Sequence, residues 1–233
     1  MHVDKYTKIY GSVSAYPGTF GSDFFNKGFE KLGLNAIYRP FKITSPGQLQ
    51  AFIENAPTFG ISGFGVSMPW KFLAAKHVDY KNVDLKNCTG RTNINTIKFD
   101  EFDIPKGYNT DITALEKVLS ECLEKYVRVY VVGSGAYADS ANYIVRKIRG
   151  SMYYGYPIAG LTQFPFAITR NNWNTIEVTR KDSKNLLINC TPVVLSPGHN
   201  IINARVETDT GKQLALIQAK EQFKIYTGMD YPS

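Results

Sequence analysis

Residues 127–138, VRVYVVGSGAYA, contain the pattern that decides the fold class of this 233-residue chain. The short run 127–132 is apolar and rich in β-branched residues, which predicts a strand. The turn Gly133–Ala138 fits the pattern G-x-G-x-x-G/A and leads into a predicted helix over Ala138–Arg149. Its first glycine permits a tight turn, its second lets backbone amides approach a pyrophosphate, and the final small residue lets the helix pack on the strand. The stretch therefore predicts a dinucleotide-binding strand–turn–helix unit, with a plain glycine turn as the alternative.

Predicted strands and helices alternate on both sides of this stretch. The other predicted strands are Lys8–Val13, Ala36–Ile43, Gly60–Met68, Asn95–Phe99, Phe166–Thr169, Thr175–Val178 and Leu186–Asn189. The other predicted helices run from Ser22 or Asp23 to Leu32, from Ser45-Pro46 onward, over Thr113–Tyr126 and over Gln213–Tyr226. This alternation predicts an α/β protein with a mostly parallel sheet.

Composition narrows the classes of partner. The net charge of +7 favours anionic ligands, but no dense Lys/Arg run is present, which disfavours nucleic acid. No apolar run is long enough to cross a membrane, and the N-terminus lacks the apolar segment of a signal peptide. Neither the three cysteines nor the three histidines have ligand spacing. We therefore expect a cytoplasmic protein with reduced thiols, without a metal site and without a nucleic-acid or membrane partner.

The residues after the predicted second strand of the dinucleotide unit indicate which cofactor is bound. An NAD site places an acidic residue there to bind the ribose hydroxyls. Residues 166–171, FAITRN, contain no acid and offer Thr169 and Arg170 instead. A guanidinium can hold a 2′-phosphate through two parallel hydrogen bonds, so NADP is favoured over NAD. The alternative is an ordinary surface arginine after a strand.

Two charged residues upstream of the glycine turn are candidates for proton transfer. Lys71 follows a proline at the end of an apolar strand, where partial desolvation would lower the pKa of its ammonium group. Asp111 lies in Asn-Thr-Asp just before a predicted helix. Alone, the first is more often a surface lysine and the second a helix cap. Together with a nucleotide-type turn, in this order, they indicate a reductase.

At these positions the chain resembles the shikimate dehydrogenase family. The matching motifs are VSMPWK at 66–71 (V-T-x-P-x-K in the family), NINTI at 93–97 (A-x-N-T-I), GYNTD at 107–111 (G-x-N-T-D), INCTP at 188–192 (I-N-x-T-P) and the closing helix at 211–228 with its Q-A. Residues 29–38 also resemble the family's first helix and second strand. The resemblance covers nearly the whole chain, with its motifs in the family's order.

The resemblance implies a two-domain α/β fold. Residues 1–112 and 206–233 would form the substrate-binding catalytic domain, because the last helix returns to it. Residues 113–205 would form a shortened Rossmann-like NADP-binding domain. The implied activity is the NADPH-dependent, reversible reduction of 3-dehydroshikimate, or of a related hydroxylated cyclic acid, to the alcohol. The resemblance would place the protein in aromatic amino acid biosynthesis on the way to chorismate, and it implies a monomer or homodimer.

The resemblance also implies a role for each matching residue. Lys71 would give a proton to the carbonyl oxygen, and Asp111 would hold and tune Lys71. The implied substrate-binding residues are Thr19, Ser67, Asn95 and Gln218. The implied cofactor-binding residues are Gly133, Ser134, Gly135, Ala136, Thr169, Arg170, Asn189 and Thr191.

The chain departs from the family pattern at its substrate-binding end. The family's S-x-S, which holds the substrate carboxylate, falls near Thr19 and Gly21 in the register of the first helix. Ser12 and Ser14 form S-x-S in letters but lie too early in that register. The stretch 16–22, YPGTFGS, resembles the divergent shikimate dehydrogenase-like branch, so a substrate other than shikimate is an alternative.

Two further departures concern the cofactor. Ala136 stands where the family has a second consecutive glycine, which requires a φ below zero there. The segment between Pro192 and Gly211 is much shorter than in the family, which would weaken cofactor binding and admit water. A non-catalytic or cofactor-impaired binding protein is therefore one alternative. An NAD-dependent quinate/shikimate dehydrogenase is another, disfavoured by Arg170 and by the missing acid.

Overall fold

The computed structural model describes residues 3–80, 91–150, 185–191 and 200–233. These residues form two compact units. The first contains 3–80, 92–110 and 218–233, and the second contains 91, 111–150, 185–191 and 200–217. Among the described residues, the chain passes between the units at 91/92, 110/111 and 217/218, whereas the expected domain bounds were 112/113 and 205/206. The predicted strands Phe166–Thr169 and Thr175–Val178 lie outside the described residues.

The first unit contains a six-stranded sheet with helices. Its elements are β1 (Lys8–Ser14), α1 (Phe20–Lys31), β2 (Ala36–Lys42), α2 (Pro46–Asn55), a 3-10 turn (Pro57–Phe59), β3 (Ile61–Val66), α3 (Lys71–Ala74), β4 (Asp79–Tyr80), β5 (Thr96–Phe99) and β6 (Pro105–Tyr108). The strand order is β2-β1-β3-β5-β6-β4. The α/β class is confirmed.

The predicted parallel direction holds for every strand of this sheet except β5, since β4 and β6 also pair in parallel. Strands β1, β2 and β3 are parallel, but β5 is antiparallel to both β3 and β6. Only the turn around Asp100 separates β5 from β6, and its carboxylate accepts hydrogen bonds from the amides of Phe102 and Ile104. A connection this short can join only antiparallel neighbours.

The sequence predicted N-cap residues for α1 and α2, and only the prediction for α2 agrees with the structure. Ser45 caps α2 as expected, its hydroxyl accepting from the amide of Gln48 at 3.3 Å. The prediction that α1 begins at Ser22 or Asp23 is wrong, because the helix begins at Phe20 with Thr19 at its N-cap. Asp23 lies instead in the first turn, where its charge interacts favourably with the helix dipole.

The core on one face of the sheet is a cluster of aromatic rings from β1, β2, α1 and the end of the last helix. Its buried members are Tyr10, Phe25, Phe29, Tyr38, Phe223 and Tyr226, together with Ala36 and Ala219. The rings of Phe25 and Tyr38 stack at 4.4 Å between centroids. The hydroxyl of Tyr10 donates to the carbonyl of Tyr226 at 3.1 Å.

We expect this cluster to make the protein sensitive to alkali. Burial raises the pKa of Tyr10 to about 12, and burial also raises the pKa of Tyr38 and Tyr226. An unfolded tyrosine titrates near about 10. The stability from keeping these hydroxyls neutral is therefore fully present below about pH 10 and is lost as the pH rises toward about 12.

Urea unfolding between pH 9 and 11.5 measures this loss, which amounts to at most about 1.4 kcal/mol per pH unit for each tyrosine. Tyr10→Phe should make the decline shallower. Tyr16→Phe is the matched control, because Tyr16 is 92% exposed and its substitution should leave the decline unchanged. A Tyr10→Phe profile identical to that of the wild type would contradict the assignment.

The second unit contains a parallel sheet of three strands. Its elements are the body of α4 (Thr110–Ser120), a 3-10 turn (Leu123–Lys125), β7 (Arg128–Val132), α5 (Ala136–Arg149), β8 (Asn185–Asn189), β9 (Ile201–Asn203) and the beginning of α6 (Asp209–Thr227). The strand order is β7-β8-β9.

Helix α4 differs from the predicted helix Thr113–Tyr126 at both ends. It ends at Ser120, and the 3-10 turn that follows is held by the guanidinium of Arg149, which donates to the carbonyls of Leu123 and Tyr126. The apolar spacing continued through this turn and could not reveal the change of helix type.

In the described part of the chain, no helix has the length and apolarity needed to cross a membrane.

Candidate functional site

Candidate residues of the first unit lie at one end of the strands of its sheet, the end at which the parallel strands finish. Residue 65 pairs with Thr96, which in turn pairs with Tyr108, so the end of β3, the start of β5 and the end of β6 lie side by side. The amide of Ser67 donates to the carbonyl of Val13, which adds the end of β1 to the same end of the sheet. The carboxyl ends of parallel strands are where α/β proteins bind ligands.

Asn95 is the centre of a buried polar network at this end of the sheet. Its side-chain oxygen accepts from the amide of Thr110 at 2.8 Å and from the hydroxyl of Thr96 at 2.9 Å. Its side-chain nitrogen donates to the hydroxyl of Thr110 at 3.0 Å. Asn95 is 1% exposed, and so is Thr110. The network fixes the beginning of α4 at Thr110.

We expect Asn95→Ala to lower the free energy of unfolding by about 2–4 kcal/mol. The substitution leaves the buried amide of Thr110 without its acceptor, and each unpaired buried polar group costs about 1–3 kcal/mol. Chemical denaturation measures the change. Asn55→Ala is the control, because Asn55 is exposed on α2 and should cost at most about 0.5 kcal/mol. Equal losses in the two variants would contradict the role of the network.

Lys71 is the first residue of α3 and is half-buried. The residue before it, Trp70, is buried, and its indole nitrogen donates to the carbonyl of Ile43 at 3.0 Å. The carbonyl of Lys71 accepts from the amide of Ile94 at 3.1 Å. The turn that carries Lys71 is thus anchored on both sides, beside the chain segment that carries Asn95.

The structure shows the surroundings of Thr19 and Gly21, the two positions that align with the family's S-x-S. Thr19 is exposed at the N-cap of α1, where its side chain makes no capping hydrogen bond. A Cβ atom on Gly21 would lie 2.8 Å from the ring of Tyr38. Ser14 lies too early in the register of the first helix to match the family's S-x-S. It is buried at the end of β1, and its hydroxyl has no hydrogen-bond partner among the described residues.

A second glutamine on the closing helix was missed. Gln218 is half-buried on α6, whereas Gln222, one turn later, is 6% exposed. The side-chain nitrogen of Gln222 donates to the carbonyl of Asn95 at 3.1 Å and to the hydroxyl of Thr96 at 2.8 Å. Gln222 therefore extends the Asn95 network, and its spacing of four residues from Gln218 was the available signal.

The glycine turn of the second unit has the geometry its motif predicted. Gly133 has a φ of +138°, and a Cβ atom there would lie 3.1 Å from Cβ of Cys190. Gly135 is the N-cap of α5, without a side-chain cap, and a Cβ atom there would meet nothing within 4 Å. Ser134 is exposed, and Ala136 is the first residue of the helix. Helical backbone at Ala136 needs no glycine, which explains how this departure is tolerated.

Asp111 belongs to the same unit as the glycine turn. It is 1% exposed and lies in the first turn of α4. Burial raises the pKa of the Tyr137 hydroxyl and of the Cys190 thiol, and the charge of Asp111 raises both further. The carboxylate therefore acts electrostatically on the helix that begins at the glycine turn. Lys71 belongs to the other unit.

Asn189 and Thr191 hold the end of β8 together. The side-chain oxygen of Asn189 accepts from the hydroxyl of Thr191 at 2.7 Å, and its nitrogen donates to the side chain of Asn203 at 2.7 Å. The amide of Cys190 donates to the carbonyl of Val132, which places this turn beside Gly133. Thr169 and Arg170, assigned to the 2′-phosphate, lie outside the described residues.

The described residues fit a dinucleotide. The beginning of α5 offers backbone amides without a side-chain cap, next to a glycine with open space above it, and such helix ends favour phosphate groups. The described ranges contain no cluster of three or more histidine, cysteine, aspartate or glutamate residues that could hold a metal ion.

Comparison with protein families gives a match over the first part of the chain. Residues 20–97 match the model of the shikimate dehydrogenase substrate binding domain. Over 97% of its length the chain is 26% identical to a shikimate dehydrogenase-like protein of Haemophilus influenzae, of which it covers 92%. Over 60% of its length it is 32% identical to a shikimate dehydrogenase (NADP(+)) of Methanobrevibacter smithii, and this match spans about half (48%) of that relative.

Solved structures of similar fold align with the chain over nearly its whole length. A shikimate 5-dehydrogenase-like protein aligns with a TM-score of 0.73 at 24% identity, covering 100% of this chain and 95% of the other. A shikimate dehydrogenase in complex with NADP+ aligns with a TM-score of 0.71 at 19% identity, covering 99% and 93%. Residues 20–97 thus match the substrate binding domain of shikimate dehydrogenases, and along nearly its whole length the chain is similar to a shikimate dehydrogenase-like protein.

Proposed function

We propose that this protein is an NADP-dependent oxidoreductase acting on a CH–OH group, of the shikimate dehydrogenase type. It would interconvert 3-dehydroshikimate, or a related hydroxylated cyclic carboxylic acid, with the corresponding alcohol. The observation that carries the proposal is that the backbone of Lys71 accepts a hydrogen bond from the amide of Ile94, the residue before Asn95, which brings together two motifs that resemble the family's. The relatives named as NADP(+) enzymes support the choice of cofactor.

The reaction needs one hydride and one proton, and NADPH supplies the hydride when it is bound. We assign the proton to the ammonium group of Lys71, which gives it to the carbonyl oxygen in the reducing direction and takes it back in the oxidising direction. Asp111 is assigned to hold and tune Lys71. The anchored turn around Trp70 serves this step by fixing the backbone of Lys71.

Substrate binding is assigned to polar groups of the first unit. Asn95 and Gln218 would hydrogen-bond the hydroxyls of the ring, and Ser67 and Thr19 would bind the carboxylate end. The net charge of +7 favours an anionic substrate of this kind. We expect a small-molecule acid as the partner, and a cytoplasmic monomer or homodimer serving aromatic amino acid biosynthesis.

Cofactor binding is assigned to the second unit. The backbone of Gly133, Ser134, Gly135 and Ala136 would hold the pyrophosphate at the beginning of α5. Asn189 and Thr191 would border the nicotinamide. Thr169 and Arg170 would hold the 2′-phosphate, which makes NADP the preferred cofactor over NAD.

The test is the absorbance change of the nicotinamide band with shikimate and NADP. A rate that disappears without shikimate and is much lower with NAD supports the proposal. Calorimetry with shikimate and with NADPH separates the alternatives if no rate is seen. Binding of shikimate without binding of NADPH would replace the proposal by a cofactor-impaired binding protein. Binding of neither would exclude shikimate as the substrate and NADPH as the cofactor.

A further inference from the structure

Arg91 lies on the glycine turn of the second unit. One nitrogen of its guanidinium, Nη2, donates to the carbonyl of Ser134 at 3.2 Å. The same nitrogen is 2.9 Å from each carboxylate oxygen of Asp139, in the first turn of α5. Half of the Arg91 side chain is exposed, whereas the Asp139 side chain is 9% exposed. Neither residue belongs to a motif from which the function was proposed.

The contact with Ser134 controls the direction of a backbone amide. A peptide unit is planar and trans, so its carbonyl and the following N–H point in opposite directions. By holding the carbonyl of Ser134, the guanidinium fixes the plane of the 134–135 peptide and therefore the direction of the N–H of Gly135. This N–H lies at the N-cap of α5, where the motif needs amides that face a phosphate group.

The contact with Asp139 balances a charge that would otherwise oppose an anion. Asp139 is a buried carboxylate one turn inside the helix that the phosphates would approach. A negative charge there repels a pyrophosphate, and burial weakens the screening of that repulsion by water. The guanidinium of Arg91 neutralises it at hydrogen-bond distance and keeps the beginning of the helix attractive to anions.

We propose that Arg91 is a positioning residue of the dinucleotide site, which sets the glycine turn in its binding form and neutralises Asp139. The proposal rests on the proposed function, because it assumes that this turn binds the pyrophosphate of NADPH. The segment that contains Arg91, just before the motif at 93–97, would therefore contribute to the affinity for NADPH. It predicts that Arg91 affects NADPH and leaves the binding of shikimate unchanged.

The test measures the Kd of NADPH by fluorescence titration, and the Kd of shikimate by calorimetry, at one ionic strength. Arg91→Ala should raise the Kd of NADPH at least about 10-fold, and Arg91→Lys, which keeps the charge but not the fork of donors, should give an intermediate value. The double variant Arg91→Ala with Asp139→Asn should recover at least about threefold of the loss, because the unbalanced carboxylate is gone.

Lys147→Ala is the matched control. Lys147 lies on α5, about 12 Å along the helix axis from Asp139, and forms an ion pair with Glu116 of α4. Its removal should change the Kd of NADPH less than about twofold. A wild-type Kd of NADPH in Arg91→Ala would overturn the inference and leave the proposed function intact. A double variant no tighter than Arg91→Ala would overturn the charge balance. A wild-type protein that binds shikimate but not NADPH would overturn both the inference and the assignment of the cofactor.

Discussion

Lys71→Ala should lower kcat by about 100- to 10,000-fold while the protein stays folded. A positioned proton donor contributes about this factor to a reaction that forms an alcohol from a carbonyl. Alanine is a good helix former at the first position of α3, so the turn around Trp70 should keep its anchors. The measurement is the steady-state rate of NADPH oxidation with 3-dehydroshikimate, together with circular dichroism and the Kd of NADPH.

Lys76→Ala is the matched control for this experiment. Lys76 is exposed just after α3, and its removal takes away the same charge a short distance along the chain. We expect its kcat to stay within about twofold of the wild type, as for most surface substitutions. If Lys71→Ala retained wild-type turnover, the assignment of the proton to Lys71 would be wrong, even if the protein proved to be an NADP-dependent enzyme.

The fold was predictable from local pattern where elements are long and periodic. Strands β1, β2, β3 and β7 and helices α2 and α5 were all expected near their observed positions. Strands β4, β6 and β9 have two to four residues each and carry no period that could be recognised. The antiparallel direction of β5 depends on the short turn around Asp100, which only the structure shows to be a hairpin.

The candidate site was predictable where a motif requires a special backbone. The positive φ of Gly133 and the open space at Gly135 follow from the glycine pattern itself. The spacing of Gln222 from Gln218 places both on one face of the helix but does not reveal its contact with Asn95, which is 127 positions away in the sequence. No local spacing indicates the contact of Arg91 with Asp139, 48 positions away. Buried polar networks of this kind are determined by tertiary structure.

Gly135→Val should lower the affinity for NADPH by about 100-fold with little effect on the fold. A Cβ atom at this position meets nothing within 4 Å, and the φ of −90° suits a β-branched residue. The valine methyl groups would occupy the space through which a pyrophosphate reaches the backbone amides, and a 100-fold loss corresponds to about 2.7 kcal/mol. Exchanging glycine for valine at an N-cap costs about 1 kcal/mol of helix stability, which leaves most of the protein folded.

The comparison with two other glycines makes this result specific. Gly47→Val, in the first turn of α2, also meets nothing within 4 Å, so it should leave the Kd of NADPH unchanged. Gly133→Val would be a poor test, because its positive φ and its contact with Cys190 would strain the fold. If Gly135→Val bound NADPH as tightly as the wild type, the phosphates would not approach this turn. The open space above the beginning of α5 would then need another explanation.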